Sequence, residues 1–287
     1  MKEVVVLSGK GGTGKTSIAG CFAALARNKV LADCDVDAAD LHLLLQPRSR
    51  RKEEFWSGQH AYIDEKICTG CDLCEELCRF NAIRNIEVDP TACEGCGFCA
   101  RICPADAITM RDNLAGHWFI SDTMYGPLVH ACLGIAQENS GKLVALVRQQ
   151  ARKLAEESHH STIITDGPPG IGCPVISSLS GADLALLVTE PTLSGIHDLE
   201  RVIGVCRHFN VPAAVCINKY DINEEKSAQI TEYCTASGLK VEGKIPFDTS
   251  ANQAITRGVP LVEYNDGPAS HAVKQLWDNI KILLSPN

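Results

Sequence analysis

The chain opens on a continuous apolar run, Val4-Val5-Val6-Leu7, with no polar alternation, the pattern of a parallel strand covered on both faces. A glycine-rich loop follows, then a helical stretch to about Arg27, then a short strand over 30–32 that runs into Asp33-Cys34-Asp35. Further apolar runs at 162–165, 184–188 and 213–217 are separated by stretches long enough for crossover helices. This order predicts an α/β fold built on a doubly wound, mostly parallel sheet. At 271–284, Val273, Leu276, Trp277, Ile280 and Leu284 share one helical face, which suits a closing core helix better than a membrane-surface helix.

The pattern breaks after Leu45. Charge comes first, then cysteine at regular intervals through Cys103, and α/β character returns from about Leu114. Such a break predicts a discontinuous α/β domain over 1–57 and 114–287, with a small α+β domain inserted at 58–113. At 287 residues and 45% hydrophobic content the chain can bury one full core and a small second one.

The net charge of −8 argues against a protein that holds nucleic acid by neutralising phosphates. The one basic run, 48–52, leads directly into Glu53 and Glu54 and reads as a solvated linker. Met1-Lys2-Glu3 passes straight into the first strand and no apolar stretch reaches spanning length, so the expectation is a cytoplasmic protein with no signal peptide and no stable membrane anchor. In that compartment eight of the fifteen cysteines, at metal-ligand spacing, read as thiolate ligands rather than disulfides.

Gly9-Lys10-Gly11-Gly12-Thr13-Gly14-Lys15-Thr16 fits the P-loop pattern in the context that pattern requires, after a strand and before a helix. Backbone N–H groups of Gly9 to Thr16 would cradle phosphates, Lys15 would reach the β and γ oxygens, and the Thr16 hydroxyl would bind Mg²⁺. Asn218-Lys219-Tyr220-Asp221 follows a strand and matches a guanine-reading tetrapeptide, although Asp221 with Glu224 also makes a capping box. ATP is the expected nucleotide and GTP the alternative.

The run from Lys10 to Thr16 resembles the deviant P-loop of the MinD/ParA/nitrogenase-iron-protein superfamily. The resemblance implies that Lys10 reaches across a dimer interface to the partner's nucleotide, so that two ATP-bound protomers meet for hydrolysis. It also implies that Asp35, rather than Asp33, orients the attacking water as a switch aspartate. Asp166, followed by Gly167-Pro168-Pro169-Gly170, would hold Mg²⁺ through water, and Gly170 would let backbone approach the γ-phosphate. Asn218 and Lys219 fall where such proteins carry base-binding residues. The catalytic set expected is Lys10, Lys15, Asp35 and Asp166.

Cys68-x₂-Cys71-x₂-Cys74-x₃-Cys78 and Cys93-x₂-Cys96-x₂-Cys99-x₃-Cys103-Pro104 are one motif repeated after 25 residues. The repeat resembles a gene-duplicated bacterial ferredoxin, which implies two [4Fe–4S] clusters. Three cysteines of one run and the last of the other would ligate each: Cys68, Cys71, Cys74 and Cys103 for one, Cys93, Cys96, Cys99 and Cys78 for the other. A pair of zinc sites would take two cysteines from each of two runs, so three close cysteines with a distant fourth suit a cubane better. Arg79 stands where the first run of such modules has proline.

Together these features resemble the MinD-superfamily ATPases that carry an inserted ferredoxin domain, over nearly the whole chain. Cys173 lies seven residues after Asp166, the offset of a cluster ligand in the nitrogenase iron protein, with Cys132 as the nearest second ligand; a small buried thiol starting a helix at Pro174 is the plainer reading. Cys21, Cys34, Cys206, Cys216 and Cys234 read as core, His130 as a packed or hydrogen-bonded residue, and Ser140-Gly141-Lys142 carries no assigned role. Three functions follow: an ATPase whose nucleotide-dependent dimer is coupled to the clusters for electron transfer with a redox partner, an ATP-dependent maturation factor delivering a cluster to a client, and a MinD-like spatial or cell-division regulator.

Overall fold

Strand β1 (Lys2–Ser8) accounts for its own uninterrupted apolar run: Val4 and Val6 enter one core, and Val5 and Leu7 enter another on the opposite face. The computed structural model describes residues 1–134 and 139–285. From β1 the chain runs through α1 (Lys15–Leu25), β2 (Lys29–Asp33) and the short α2 (Leu41–Leu45) into a long strand, β3 (Arg48–Ile63). Helix α3 (Leu73–Glu76), a small ladder of β4 (Ile83–Arg84) with β5 (Glu87–Val88), and helix α4 (Phe98–Ile102) follow. A second long strand, β6 (Ile108–Thr123), turns within two residues into β7 (Gly126–Leu133).

Alternation of helix and strand then resumes: α5 (Ser140–Glu157), β8 (Thr162–Pro169), α6 (Cys173–Leu179), β9 (Leu184–Thr189), α7 (Leu193–His208) and β10 (Ala213–Asn218). The chain closes with α8 (Glu224–Ala236), β11 (Val241–Ile245), α9 (Ser250–Arg257), α10 (Leu261–Tyr264) and α11 (Pro268–Leu284). The sheet order is β11-β10-β9-β1-β8-β2-β7-β6-β3, and every neighbouring pair from β11 to β7 is parallel. This is a mostly parallel α/β sheet of the doubly wound kind. Helix α11 buries the five expected residues, with Trp277 packed on Phe22 of α1 at 4.8 Å between ring centroids.

Two compact units divide the chain. One comprises Met1–Lys52, Trp118–Ala131 and Ser140–Asn287; the other comprises Glu53–His117 and Cys132–Asn139. The expected insertion at 58–113 lies inside the second unit, whose limits are wider and which takes in a separate later segment. No described helix is long and apolar enough to cross a membrane.

Two expectations need correction. Residues 48–52 are not a linker but the first part of β3, the last strand of the sheet order, and all five are exposed. Charged side chains are what a solvated edge strand carries, and here they lie along the neighbouring strand. Arg50 pairs with Asp122 at 3.1 Å, and the Arg51 guanidinium and Lys52 ammonium sit 5.3 and 5.9 Å from the rings of Trp118 and Phe119. Likewise 114–123 belongs to β6, so helix-and-strand alternation returns only at α5.

One polar cluster crosses the apolar interior. Glu3 on β1 accepts two hydrogen bonds from Arg148 of α5, at 2.7 and 2.8 Å, two from Arg152, and one from the Thr165 hydroxyl of β8. Arg148 also donates to the carbonyls of Ser177 and Ser180, closing the C-terminal turn of α6. Arg148 and Glu3 side chains are 6% and 4% exposed, so removing either leaves a desolvated charge without its partner. Arg148→Met should therefore cost about 3–5 kcal/mol in denaturant unfolding. Arg152→Met, whose head group is partly wet, should cost about 1 kcal/mol.

Candidate functional site

The loop between β1 and α1 is shaped by close approaches. Gly14, at φ +91°, occupies the left-handed region, and a Cβ there would lie 2.5 Å from the Asn218 amide nitrogen. Gly9 passes so close to α7 that a Cβ would lie 2.3 Å from that of Asp198. Asn218 Nδ2 donates to the Thr13 carbonyl at 2.8 Å and so fastens the loop to the end of β10. Lys15 is buried at the start of α1, Thr16 beside it is half-buried, and Gly11 and Gly12 are exposed. The Thr13 hydroxyl is buried with no hydrogen-bond partner.

The three aspartates separate into two roles. Asp33, fully buried, accepts the N–H groups of Asp35 and Leu41, both at 3.2 Å, and so organises the turn after β2. Asp35 is free of that duty. Burial pushes its carboxyl up to about 6 against the attraction of Lys15, with Asp37 and Asp40 adding to the rise. Asp166 does not end its strand as expected but lies within β8, which continues to Pro169; it sits between Val6 of β1 and Asp33 of β2 in the register. Burial raises both Asp166 and Asp33, Lys15 opposes the rise at Asp166, and the Asp166 and Asp35 carboxylates raise Asp33 further. The Thr16 hydroxyl lies near enough to temper Asp166, yet neither of its buried carboxylate oxygens has a partner at hydrogen-bonding distance. An orphaned pair of acceptor oxygens near a buried lysine and the Thr16 hydroxyl fits Mg²⁺ with an anionic ligand. Gly170, at φ +91°, donates its N–H to the Ser8 carbonyl at 2.9 Å, which ties the loop after β8 to the end of β1.

Lys10 is held within its own chain. Its ammonium lies 3.2 Å from Ser194 Oγ, 3.4 Å from Thr192 Oγ1 and 3.7 Å from Glu190, whose other oxygen takes Lys219 at 2.5 Å. Motif reading does not single out Glu190; its only sequence signal is a carboxylate just past the strand at 184–189. A cavity of about 180 Å³ opens beside the loop, lined by Gly12, Gly14, Asn218, Lys219, Phe247 and Asp248 among others. Asp221 is absent from its walls: one of its oxygens accepts the Phe247 N–H at 2.7 Å, anchoring the loop after β11. Nor does Asp221 cap α8, because Asn223 is the cap and accepts from Lys226 N at 2.9 Å.

In the cysteine-bearing unit the sequence repeat is a structural one. Left-handed backbone recurs at Gly70 and Gly95, at Asp72 and Gly97, and at Asn81 and Asp106, each pair 25 residues apart. Pairing between the halves is reciprocal: Asp64 N donates to Ala107 O at 2.8 Å, and Asp89 N donates to Ala82 O at 2.7 Å. The thiols follow the same exchange. Cys78, Cys93, Cys96 and Cys99 line a cavity of about 370 Å³, with Cys74 also in its wall. Cys68, Cys71, Cys74 and Cys103 line a narrower one of about 20 Å³. Ala82 N donates to Cys78 Sγ at 3.4 Å and Ala107 N to Cys103 Sγ at 3.3 Å. Burial raises the thiols of Cys74 and Cys99.

Among the described residues no three His, Cys, Asp or Glu side chains converge on a point that would hold a single metal ion. The larger cavity, lined by five thiols with Cys74 shared between the two, has the donor chemistry and the breadth for a polynuclear group; the narrower one matches in its donors. Of the other thiols, Cys21, Cys34, Cys206, Cys216 and Cys234 are buried, as expected for core. Cys173 is exposed at the first position of α6, which overturns the buried-thiol reading, and Cys132 is exposed too. His130 is packed and bonded, stacked 4.9 Å from Phe119 with Nε2 3.0 Å from Ser121 Oγ. Ser140, Gly141 and Lys142 open α5, where a Cβ at Gly141 would lie 3.2 Å from that of Cys173.

A glycine-rich loop between β1 and a helix, its buried lysine, and a bare carboxylate on the adjacent strand of a mostly parallel sheet define a P-loop nucleotide-binding protein. The chain belongs to the CobQ/CobB/MinD/ParA nucleotide binding domain family, whose model matches residues 4–261. It is similar to an uncharacterized protein of Methanocaldococcus jannaschii, 33% identical over 283 residues, 97% of this chain and 96% of that one. It is also similar to an iron-sulfur cluster carrier protein of Pyrococcus horikoshii, 28% identical over 132 residues, 41% of this chain and 44% of the carrier. The cell division ATPase MinD of Pyrococcus furiosus superposes with a TM-score of 0.62 over 98% of this chain and 99% of its own, at 17% identity, a likeness of fold.

The elevated Asp35 carboxyl has a measurable consequence for the protein without nucleotide. A carboxyl raised from 3.8 to about 6 binds more protons folded than unfolded, so its contribution is full below pH 3.8 and is lost as pH rises through about 6. Asp35→Asn removes that loss. Its unfolding free energy should match wild type near pH 4 and exceed it by about 1–2 kcal/mol above pH 6.5, the figure being discounted for a partly wet site. Equal pH profiles for the two proteins would show that Asp35 is solvated.

Proposed function

We propose that the protein binds and hydrolyses ATP with Mg²⁺ and carries two [4Fe–4S] clusters, and that nucleotide-dependent pairing of two copies is coupled to the clusters for electron transfer or control of a redox partner. The observation that carries the reading is the exchange of thiols between the two repeats, three of one run with the last of the other in each cavity and Cys74 shared by both walls, in one chain with an orphaned Asp166 near a P-loop lysine. Each cluster would supply one-electron redox chemistry.

In this reading each residue of the site takes one role. Lys15 would neutralise the β and γ phosphates, and Thr16 and Asp166 would hold Mg²⁺, which would supply charge neutralisation at those phosphates. Asp35 orients the attacking water, and its raised carboxyl makes it a proton acceptor near neutral pH. Gly9 to Gly14 present backbone N–H groups to the phosphates, and Gly170 brings the loop after β8 to the γ-phosphate. Asn218 and Lys219 border the base cavity while Asp221, which a guanine reader needs at that cavity, is engaged elsewhere, and this favours ATP. Lys10 acts on the nucleotide of a partner copy after leaving Glu190, Thr192 and Ser194.

A second reading draws on the iron-sulfur cluster carrier proteins among the relatives: ATP would drive delivery of a cluster to a client. The two readings part on one measurement. In anaerobic protein with full iron and sulfide, Mg-ATP should shift the cluster reduction potential, and reduction should change ATP affinity by the same factor, because linkage is reciprocal. Lys15→Ala should abolish both effects along with hydrolysis. Unmoved potentials at saturating nucleotide would reject the coupled device and put the carrier first. Cys103→Ser should lower bound iron toward half while leaving ATP binding intact; iron unchanged in that variant would remove Cys103 from the ligand set.

A further inference from the structure

We propose that the two cysteine-lined cavities hold centres of unequal reduction potential, and that Arg79 makes the centre of Cys78, Cys93, Cys96 and Cys99 the one reduced first. The inference rests on the reading that each cavity binds a cluster and concerns what this chain's own side chains do to it.

The halves match in most features that set a cluster potential. Both ligand sets are all thiol. Each has one exposed cysteine, Cys71 or Cys96, and three half-buried ones. Each carries one backbone N–H on the last cysteine of a run, at 3.3 and 3.4 Å. Both linings contain large apolar side chains, Phe80 and Phe98 in one and Ile63 and Ile86 in the other. Ligand type, exposure and these hydrogen bonds therefore leave the potentials close together.

Charge is where the repeat fails. Arg79 occupies the position of Pro104, Asp72 that of Gly97, and Glu75 that of Ala100, each offset by 25 residues. As a result Arg79 and Glu94 stand in the wall of the Cys78 cavity, a balanced pair, whereas Asp72 and Glu75 stand in the wall of the Cys103 cavity with no cation among its lining. A four-thiolate cluster is anionic and becomes more so on reduction. Two carboxylates therefore oppose the added electron at the Cys103 centre, and the guanidinium favours it at the Cys78 centre. The first electron from a one-electron reductant settles at the Cys78 centre. The reductant is oxidised by one electron, and no bond or proton moves.

Because Arg79, Asp72 and Glu75 are exposed, solvent screens them and the effect is modest. The test is a stepwise dithionite reduction of the full-length, anaerobically reconstituted protein, followed by electron paramagnetic resonance after iron and sulfide analysis. Wild type should show two separate one-electron steps. Arg79→Gln should shift the upper step down by about threefold in its equilibrium, or about 28 mV at about 59 mV per tenfold, and leave the lower step in place. Arg79→Lys should restore it. Glu75→Gln, which keeps an acceptor for the Asn85 N–H, should raise the lower step, and it remains a decisive variant if Arg79→Gln loses its clusters. Coincident steps in wild type, an unmoved upper step in Arg79→Gln, or an unmoved lower step in Glu75→Gln would overturn the inference. Iron and sulfide short of two clusters in wild type would instead sink the cluster reading itself.

Discussion

A carboxylate with nothing to hold it governs the nucleotide half of this protein. Asp166 is buried in the middle of a parallel sheet, flanked by β1 and β2, in a strand that continues to Pro169 and brings Gly170 back against Ser8. That placement strips water from both of its oxygens and gives them no donor in return, a cost of about 1–3 kcal/mol for an unsatisfied buried group and more for a charged one. Lys15 offsets part of it at a distance, and the Asp35 and Asp40 carboxylates add to it. A sheet that tolerates such a residue needs stability from elsewhere. The Glu3 cluster stands on the two strands concerned, β1 and β8, with five hydrogen bonds to one buried carboxylate. The contrast between Glu3, fully satisfied, and Asp166, bare, marks one as structural and makes the other the acceptor that the proposed Mg²⁺ would use.

The same contrast explains which parts are legible in the sequence. Local chemistry is: a P-loop needs contiguous glycines, a lysine and a threonine, and the cysteine runs carry their spacing openly. The apolar strands of the sheet are legible because parallel strands buried on both faces leave no alternation to misread. Residues 48–52 are easily misread because a charged edge strand and a solvated linker have the same composition, and the difference lies in which strand is beside it. Asp221 misleads for a similar reason. As a cap it and Asn223 are equally good by type, and the long-range bond to Phe247 decides. The misreading of Cys173 follows from a preference of cysteine for the interior that its position at a helix start does not share.

The cysteine-bearing unit poses a different problem, since it is small and its apolar core is thin. Four buried hydrophobic side chains, Ala61, Ile63, Ile83 and Ile108, are surrounded largely by cysteines of the two runs. A core of that size contributes little on its own, and small units of this kind ordinarily depend on a metal or cross-links for stability. Reciprocal pairing of Asp64 with Ala107 and Asp89 with Ala82 ties each half to the other, so neither repeat can settle without its mate. Duplication thus fixes the geometry of both cavities at once and leaves only side-chain identity to distinguish them.

Glu190 bears on how Lys10 could act away from its own chain. Pulling an ammonium off a partly buried carboxylate ordinarily leaves that carboxylate unpaired, which is the larger part of the cost of breaking such a pair. Here the carboxylate has two cations, and the shorter contact, 2.5 Å, belongs to Lys219 rather than to Lys10 at 3.7 Å. When Lys10 departs, Glu190 keeps Lys219, and the hydroxyls of Thr192 and Ser194 keep each other at 3.2 Å. Departure therefore costs little for the groups left behind, and a nucleotide phosphate needs to supply only the desolvation of one lysine. An arrangement with Glu190 paired to Lys10 alone would hold that residue far more firmly. In the proposed dimer the second lysine, at the rim of the cavity beside the loop, is what would free the first one to leave.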